Sequence, residues 1–312
     1  AKERNARAAA AAVTDDPLDG DSPPRGRWTV RNSIYRLSLL EMSPAEDDLL
    51  ALQCQYEAAL RPLGDMLGHL ESVVGPLGGL VCDLGCGAGA AARLLASRGG
   101  VAAIGIDSDP RMVAAAKARS PNLPFRCADV GKLHVFKDLQ GAASGVWCSF
   151  VSAYFPGKQL EKALLQWAWL LQPGGWLCLL DLDGLFSVHR PFEEGRWARD
   201  FRQLDDDLQN VMKYDPFVGK RLAQTCKKAK LQVLSEREWP GATEFNFDGP
   251  ASEDQVNSWA VRMETDAVGS VFRKYFRDFD KTAKEAFLEC LRSEEHATRC
   301  KVRMVICTKT SS

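Results

Sequence analysis

One stretch constrains this chain more than any other: Leu80-Val81-Cys82-Asp83-Leu84-Gly85-Cys86-Gly87-Ala88-Gly89-Ala90-Ala91-Ala92. Short apolar residues run into an aspartate, three glycines follow at alternate positions, and an Ala/Leu-rich segment continues into Arg93, Leu94 and Leu95. The pattern predicts a buried strand, a tight turn and the first turn of a helix. Glycines let the backbone turn sharply and let a ligand approach with no Cβ in the way.

Two ligand classes use such a turn. Gly85-x-Gly87-x-x-Ala90 formally fits the dinucleotide fingerprint, and an acid, Asp107, follows at about the right distance. A dinucleotide, however, lays its pyrophosphate on the helix N-terminus. A carboxylate at Asp83, two residues ahead of the first glycine, repels a pyrophosphate and attracts an ammonium group. S-adenosylmethionine carries an ammonium, a sulfonium and no phosphate, so the charge at Asp83 points to it. A nicotinamide-dependent oxidoreductase is the competing reading of the glycines.

Asp83-x-Gly85-x-Gly87-x-Gly89 resembles motif I of the class I S-adenosylmethionine-dependent methyltransferases. Three further segments strengthen the resemblance. Ala102-Ala103-Ile104-Gly105-Ile106-Asp107 is similar to the family's second strand, and Ser108-Asp109-Pro110-Arg111-Met112 opens the next helix. Phe125-Arg126-Cys127-Ala128-Asp129-Val130 resembles the third strand, and Gln172-Pro173-Gly174-Gly175-Trp176 the turn before the fifth. The resemblance covers roughly residues 75 to 240 and the last strand. It implies that Asp107 takes both ribose hydroxyls and that Asp129 receives the adenine amino group. Asp83, Gly85, Gly87, Asp107, Ser108, Asp129, Val130 and Ser149 are the cofactor-site candidates that follow.

The 312 residues, 46% hydrophobic and 26% charged, suit one large domain with insertions. Forty basic against 41 acidic residues leave a formal charge of -1, so no strong basic field exists to hold a nucleic-acid backbone. No apolar run approaches the length of a membrane span. The ten cysteines are scattered, and Cys82 and Cys86, the one close pair, lack the His cluster or second pair of a zinc site. No metal is expected. Free cysteines in predicted strands suit a reducing compartment, hence a cytoplasmic location.

Residues 1–27, rich in Ala, Asp, Pro and Gly, read as a flexible arm. Lys2, Arg4 and Arg7 hint at a transit peptide, and Asp15, Asp16, Asp19 and Asp21 argue against one. Residues 28–74 read as a helical cover. Ser43-Pro44-Ala45-Glu46 fits a capping box, opening a helix to about Leu60, and another helix runs from Leu63 to Val74. In the resembling family, helices ahead of the first strand often cover the cofactor, which makes Arg31, Tyr35 and Tyr56 possible contacts beside the plainer reading of core packing.

From residue 75 to 312 the reading is an α/β methyltransferase domain. Strands near 80–84, 102–107, 124–128, 145–150 and 176–182 alternate with helices near 88–98, 110–118 and 158–171. That alternation predicts a doubly wound, mostly parallel sheet. The resemblance makes it seven-stranded and Rossmann-like, with an antiparallel last strand. Asp215-Pro216 opens a helix to Lys230, and Leu231 to Trp239 is the sixth strand. Arg299 to Thr308 alternates, with Lys301 and Arg303 facing out and Val302, Met304 and Ile306 facing in, as the final strand does. Insertions at 184–214 and 241–297 are too long for plain connections. They carry predicted helices near 193–212, 253–266 (capped by Ser252) and 267–293, and leave from carboxyl ends of strands, so they should roof the active site.

Methyl transfer from a sulfonium is an in-line displacement with an activated donor, and a base is needed only if the acceptor must first lose a proton. After the fourth strand the chain reads Ser149-Phe150-Val151-Ser152-Ala153-Tyr154-Phe155-Pro156. It lacks the Asp/Asn-Pro-Pro-aromatic turn of amino-methyltransferases of DNA, the acid of metal-dependent catechol-type enzymes, and the paired-glutamate loop of protein arginine methyltransferases. A small organic acceptor remains. Tyr154, Phe186 and Arg190 are the substrate-binding candidates, with Phe155 and Trp197 nearby, and His189 is the candidate base. Each has a plainer reading, as packing aromatics, a surface Arg or a solvated loop His. A non-catalytic methyltransferase-like subunit that binds a protein partner is the alternative function.

Overall fold

Strand and helix alternate from Gly79 onward as the periodicity predicts. The computed structural model describes residues 62–190, 195–210, 213–239, 246–265 and 283–309. The capping box at Ser43, the residues Arg31, Tyr35 and Tyr56, and most of the helix expected over 267–293 lie outside them. Helix α1 (Leu63–Val74) precedes β1 (Gly79–Leu84), α2 (Ala90–Ala96), β2 (Val101–Asp107), α3 (Pro110–Arg119), β3 (Phe125–Cys127), β4 (Ala143–Ser149), α4 (Lys158–Leu170) and β5 (Leu171–Leu182). Then come β6 (His189–Arg190), α5 (Gly195–Asn210), α6 (Leu222–Lys228), β7 (Leu231–Trp239), α7 (Glu253–Thr265), α8 (Lys284–Arg292), β8 (Ala297–Thr298) and β9 (Val302–Lys309).

Seven strands form one sheet in the order β3-β2-β1-β4-β5-β9-β7. The first five are parallel, and β9 runs antiparallel to both neighbours. The order reverses between β1 and β4, which is where a sheet of this kind opens a ligand crevice at its carboxyl edge. Alternate residues of each strand serve two apolar layers. Val81, Trp176, Cys178, Leu180 and Met304 join α1 and α2 on one face, while Cys82, Leu84, Leu177, Leu179 and Val305 join α4 and α6 on the other.

Local chemistry sets the ends of the elements. Asp109 caps α3, its carboxylate accepting from the Arg111 amide at 2.9 Å with Pro110 at the first helical position. The helix expected from Asp215 starts later, at Leu222. Asp215 accepts from the Phe217 amide and pairs with Arg221, which turns the chain into a short 3₁₀ segment. That segment presses Gly219 against the Leu182 carbonyl, where an added Cβ would lie 2.5 Å from the oxygen. The Gln172–Gly175 turn is continuous with β5, because Leu171 already pairs with Ala143. The two-residue ladder β6–β8 has no counterpart in the sequence pattern.

The last strand also differs from expectation. Val305 and Cys307 are as buried as Val302, Met304 and Ile306, because β9 lies inside the sheet. Arg303 is mostly buried and faces Asp183, Glu236 and Glu238 rather than open solvent.

Candidate active site

The crevice is built on β1. Asp83, its penultimate residue, is only 1% exposed. Gly85 follows at φ +66, a conformation open to glycine at little cost. An added Cβ there would stand 2.1 Å from Cγ2 of Val151, so the loop after β4 lies directly on the glycine turn. The Gly85 and Cys86 amides both donate to the Ile106 carbonyl, at 2.7 and 3.2 Å. The turn closes on Gly89, the left-handed N-cap residue of α2, whose missing side chain leaves room for the Phe125 ring.

At the end of β2, Asp107 accepts from the Gly87 amide through Oδ2 at 2.8 Å and from the Asp109 amide through Oδ1 at 2.9 Å. Ser108 beside it is exposed, and its carbonyl faces the Cys127 thiol at 3.8 Å. Past β3, Asp129 has a side chain 51% exposed, accepts from the Gly131 amide at 2.8 Å and pairs with Lys132. Val130 is buried, and its carbonyl accepts from the Trp167 indole at 2.9 Å. Ser149 closes β4. Phe150 follows at φ +59, an unusual backbone for a bulky residue and of the kind that clusters at functional sites. Asp83, Gly85, Gly87, Asp107, Ser108, Asp129, Val130 and Ser149 thus fall on the adjoining carboxyl ends of β1 to β4.

The acceptor-side candidates part company. Tyr154 stays beside the crevice, half-exposed, its ring edge-on to Tyr214 at 5.1 Å. Phe186 is fully buried among Phe201, Trp259 and Phe287, and packs the interior of the cap formed by the two insertions. His189 is 0% exposed, edge-on to Trp259 and Phe287, with Nδ1 3.0 Å from Nε2 of His296. His296 Nδ1 donates to the Gly249 carbonyl, so the His296 Nε2 is the acceptor and His189 donates to it. Burial, then the neighbouring His296, push the His189 imidazole down to about 3. A ring held that way is no base near neutral pH, and its place as a solvated loop His is equally overturned. Arg190 is exposed on β6, its carbonyl accepting from the Cys290 thiol.

Residues that the sequence reading did not single out as site candidates support the crevice and the cap. Val151 backs the glycine turn. Asp181, 1% exposed on β5, accepts from the Leu182 amide at 2.9 Å and the Ala153 amide at 3.2 Å. Burial raises its carboxyl to about 7. Asp205 on α5 accepts from the Phe186 and Ser187 amides and is raised by burial to about 6. Cys82 and Cys86 are both buried; desolvation pushes the Cys82 thiol up to about 12 and Cys86 higher, so both are apolar packing rather than reactive thiolates. Among the described residues no group of His, Cys, Asp and Glu could hold a metal ion, and no helix is long and apolar enough to cross a membrane.

This sheet order, with its inner antiparallel strand and a glycine turn beside the point of reversal, is the Rossmann-like fold of the class I S-adenosylmethionine-dependent methyltransferases. Residues 81–175 match the family described as a methyltransferase domain. The chain is 42% identical over 75 residues to trans-aconitate 2-methyltransferase of Methylobacterium nodulans, a match taking in 24% of this chain and 28% of that enzyme. It therefore spans well under half of that relative. Two solved structures share the fold. One, from Bacillus halodurans and of suggested methyltransferase function, has a TM-score of 0.51 at 14% identity, over 78% of this chain and 99% of that one. The other comes from a Haloferax volcanii complex between the Trm112 methyltransferase activator and a protein of suggested methyltransferase function. It has a TM-score of 0.50 at 15% identity, over 87% and 100%.

Proposed function

We propose that this chain moves a methyl group from S-adenosylmethionine to a small organic acceptor. The observation that carries the reading is Asp83, a buried carboxylate at the mouth of β1, with a glycine turn beside it that is tied to a second acid, Asp107. The donor set suits this cofactor. Asp83 would hold its ammonium, Asp107 its ribose hydroxyls and the Asp129–Val130 turn its adenine, with Ser149 on the same edge of the sheet. When bound, the cofactor supplies a methyl group already activated by a positively charged sulfur.

The protein's own part is to hold the nucleophile in line and to exclude water. The cap formed by residues 184–190, 195–210, 246–265 and 283–298 supports that role, with Tyr154 and Arg190 on the acceptor side. His189 serves the cap's interior, and the reading suits an acceptor that arrives with a free lone pair, for which no base is needed. Calorimetry with S-adenosylmethionine and S-adenosylhomocysteine tests the reading. Submillimolar binding supports it; no heat at that concentration overturns it.

A further inference from the structure

The loop of residues 150–155 touches both halves of the cofactor crevice. Val151 lies on Gly85, and Phe155 lies on Gly131, where an added Cβ would be 3.0 Å from its ring. Phe155 also packs edge-on against Trp167, the side chain that holds the Val130 carbonyl. The backbone enters this loop through the left-handed Phe150, whose amide donates to the Leu180 carbonyl at 2.8 Å. A loop so shaped needs a fixed partner. The Asp181 carboxyl supplies it, taking the Ala153 amide, with the Ser152 amide also turned towards it. We propose that Asp181 is a positioning residue of the cofactor crevice, clamping the 150–155 loop so that Val151 and Phe155 hold the glycine turn and the Asp129–Val130 turn in register. This deepens the methyltransferase reading and rests on it.

Two further acids lie near Asp181, as do the buried thiols of Cys148 and Cys300. Asp215, whose amide donates to the Ala153 carbonyl, repels it and is itself paired with Arg221. Asp183, two residues along, is neutralised by Lys220 and Arg303. Burial raises the Asp181 carboxyl to about 7, while the backbone amides that it accepts from pull the other way and favour the ionised form.

Calorimetry with S-adenosylhomocysteine on the full chain tests this. Asp181→Ala is expected to weaken binding about tenfold, while Asp181→Asn, which keeps an acceptor and mimics the protonated carboxyl, stays within about threefold of wild type. Equal affinity for Asp181→Ala and wild type overturns the proposal, as does an equal loss in both variants. Hydrogen exchange on the wild type decides independently of cofactor binding and of whether the variants fold. After correction for intrinsic rates, the Ser152 and Ala153 amides are expected to exchange at least about tenfold more slowly than those of an unstructured chain. Exchange of both at the unstructured rate overturns it.

Discussion

Asp107 and Gly87 are joined by a 2.8 Å hydrogen bond from the glycine amide to the aspartate Oδ2, so the end of β2 holds the turn after β1 in shape. The same carboxylate anchors the Asp109 amide at the start of α3. Replacing Asp107 by Ala strands two amides at once. It should destabilise the free protein by about 1–3 kcal/mol in urea unfolding and cut S-adenosylmethionine affinity at least about tenfold by calorimetry. Unchanged values in both measurements would contradict this linkage.

Asp83→Ala removes the buried carboxylate at the mouth of the crevice. Cofactor affinity should fall about 10- to 100-fold, the worth of a hydrogen bond to a charged group. A variant that binds as well as wild type removes the basis for the proposed function.

Gly85→Ala meets two obstacles, a positive φ and the Val151 methyl. A destabilisation of about 2–4 kcal/mol is expected. Adding Val151→Ala should recover the part due to overcrowding and leave the backbone part. A double-mutant cycle showing no coupling would mean that Val151 does not rest on the turn.

How much of this was legible beforehand follows from how local each signal is. The glycine turn, Asp107 and the alternation of strand and helix announce themselves because their chemistry sits within a few residues. Strand β9 misled because Lys301 and Arg303 alternate with apolar residues as they would on a half-solvated strand. Arg303 is nonetheless held by acids drawn from β7 and the end of β5. Phe186 and His189 misled for a different reason. Their neighbours Trp259, Phe287 and His296 come from the second insertion, and no periodicity links segments so far apart in the chain.

The buried pair His189 and His296 should make the cap sensitive to acid. Both imidazoles are pushed below 6.5, chiefly by burial, so their neutral forms belong to the folded state. Their contribution is full above about pH 6.5 and is lost as the pH falls towards the lowered values, at up to about 1.4 kcal/mol per unit for each ring. Asp181 and Asp205 act in the opposite sense, since raised carboxyls favour the folded state as the pH falls through about 7 and about 6. The measurable quantity is therefore a difference. The stability of His189→Phe relative to wild type should improve steadily from pH 7 to pH 4.5, and a constant offset would refute the assignment.

Strand β9 sits between β5 and β7. On the ribosome, β1 to β5 can pair as they emerge, but β7 has no neighbour to bond to until residues 302–309 have been made. The sheet must close from its far side, with Leu231–Trp239 waiting unpaired. Loss of the 302–309 segment would leave an exposed, association-prone strand beside an otherwise assembled cofactor crevice.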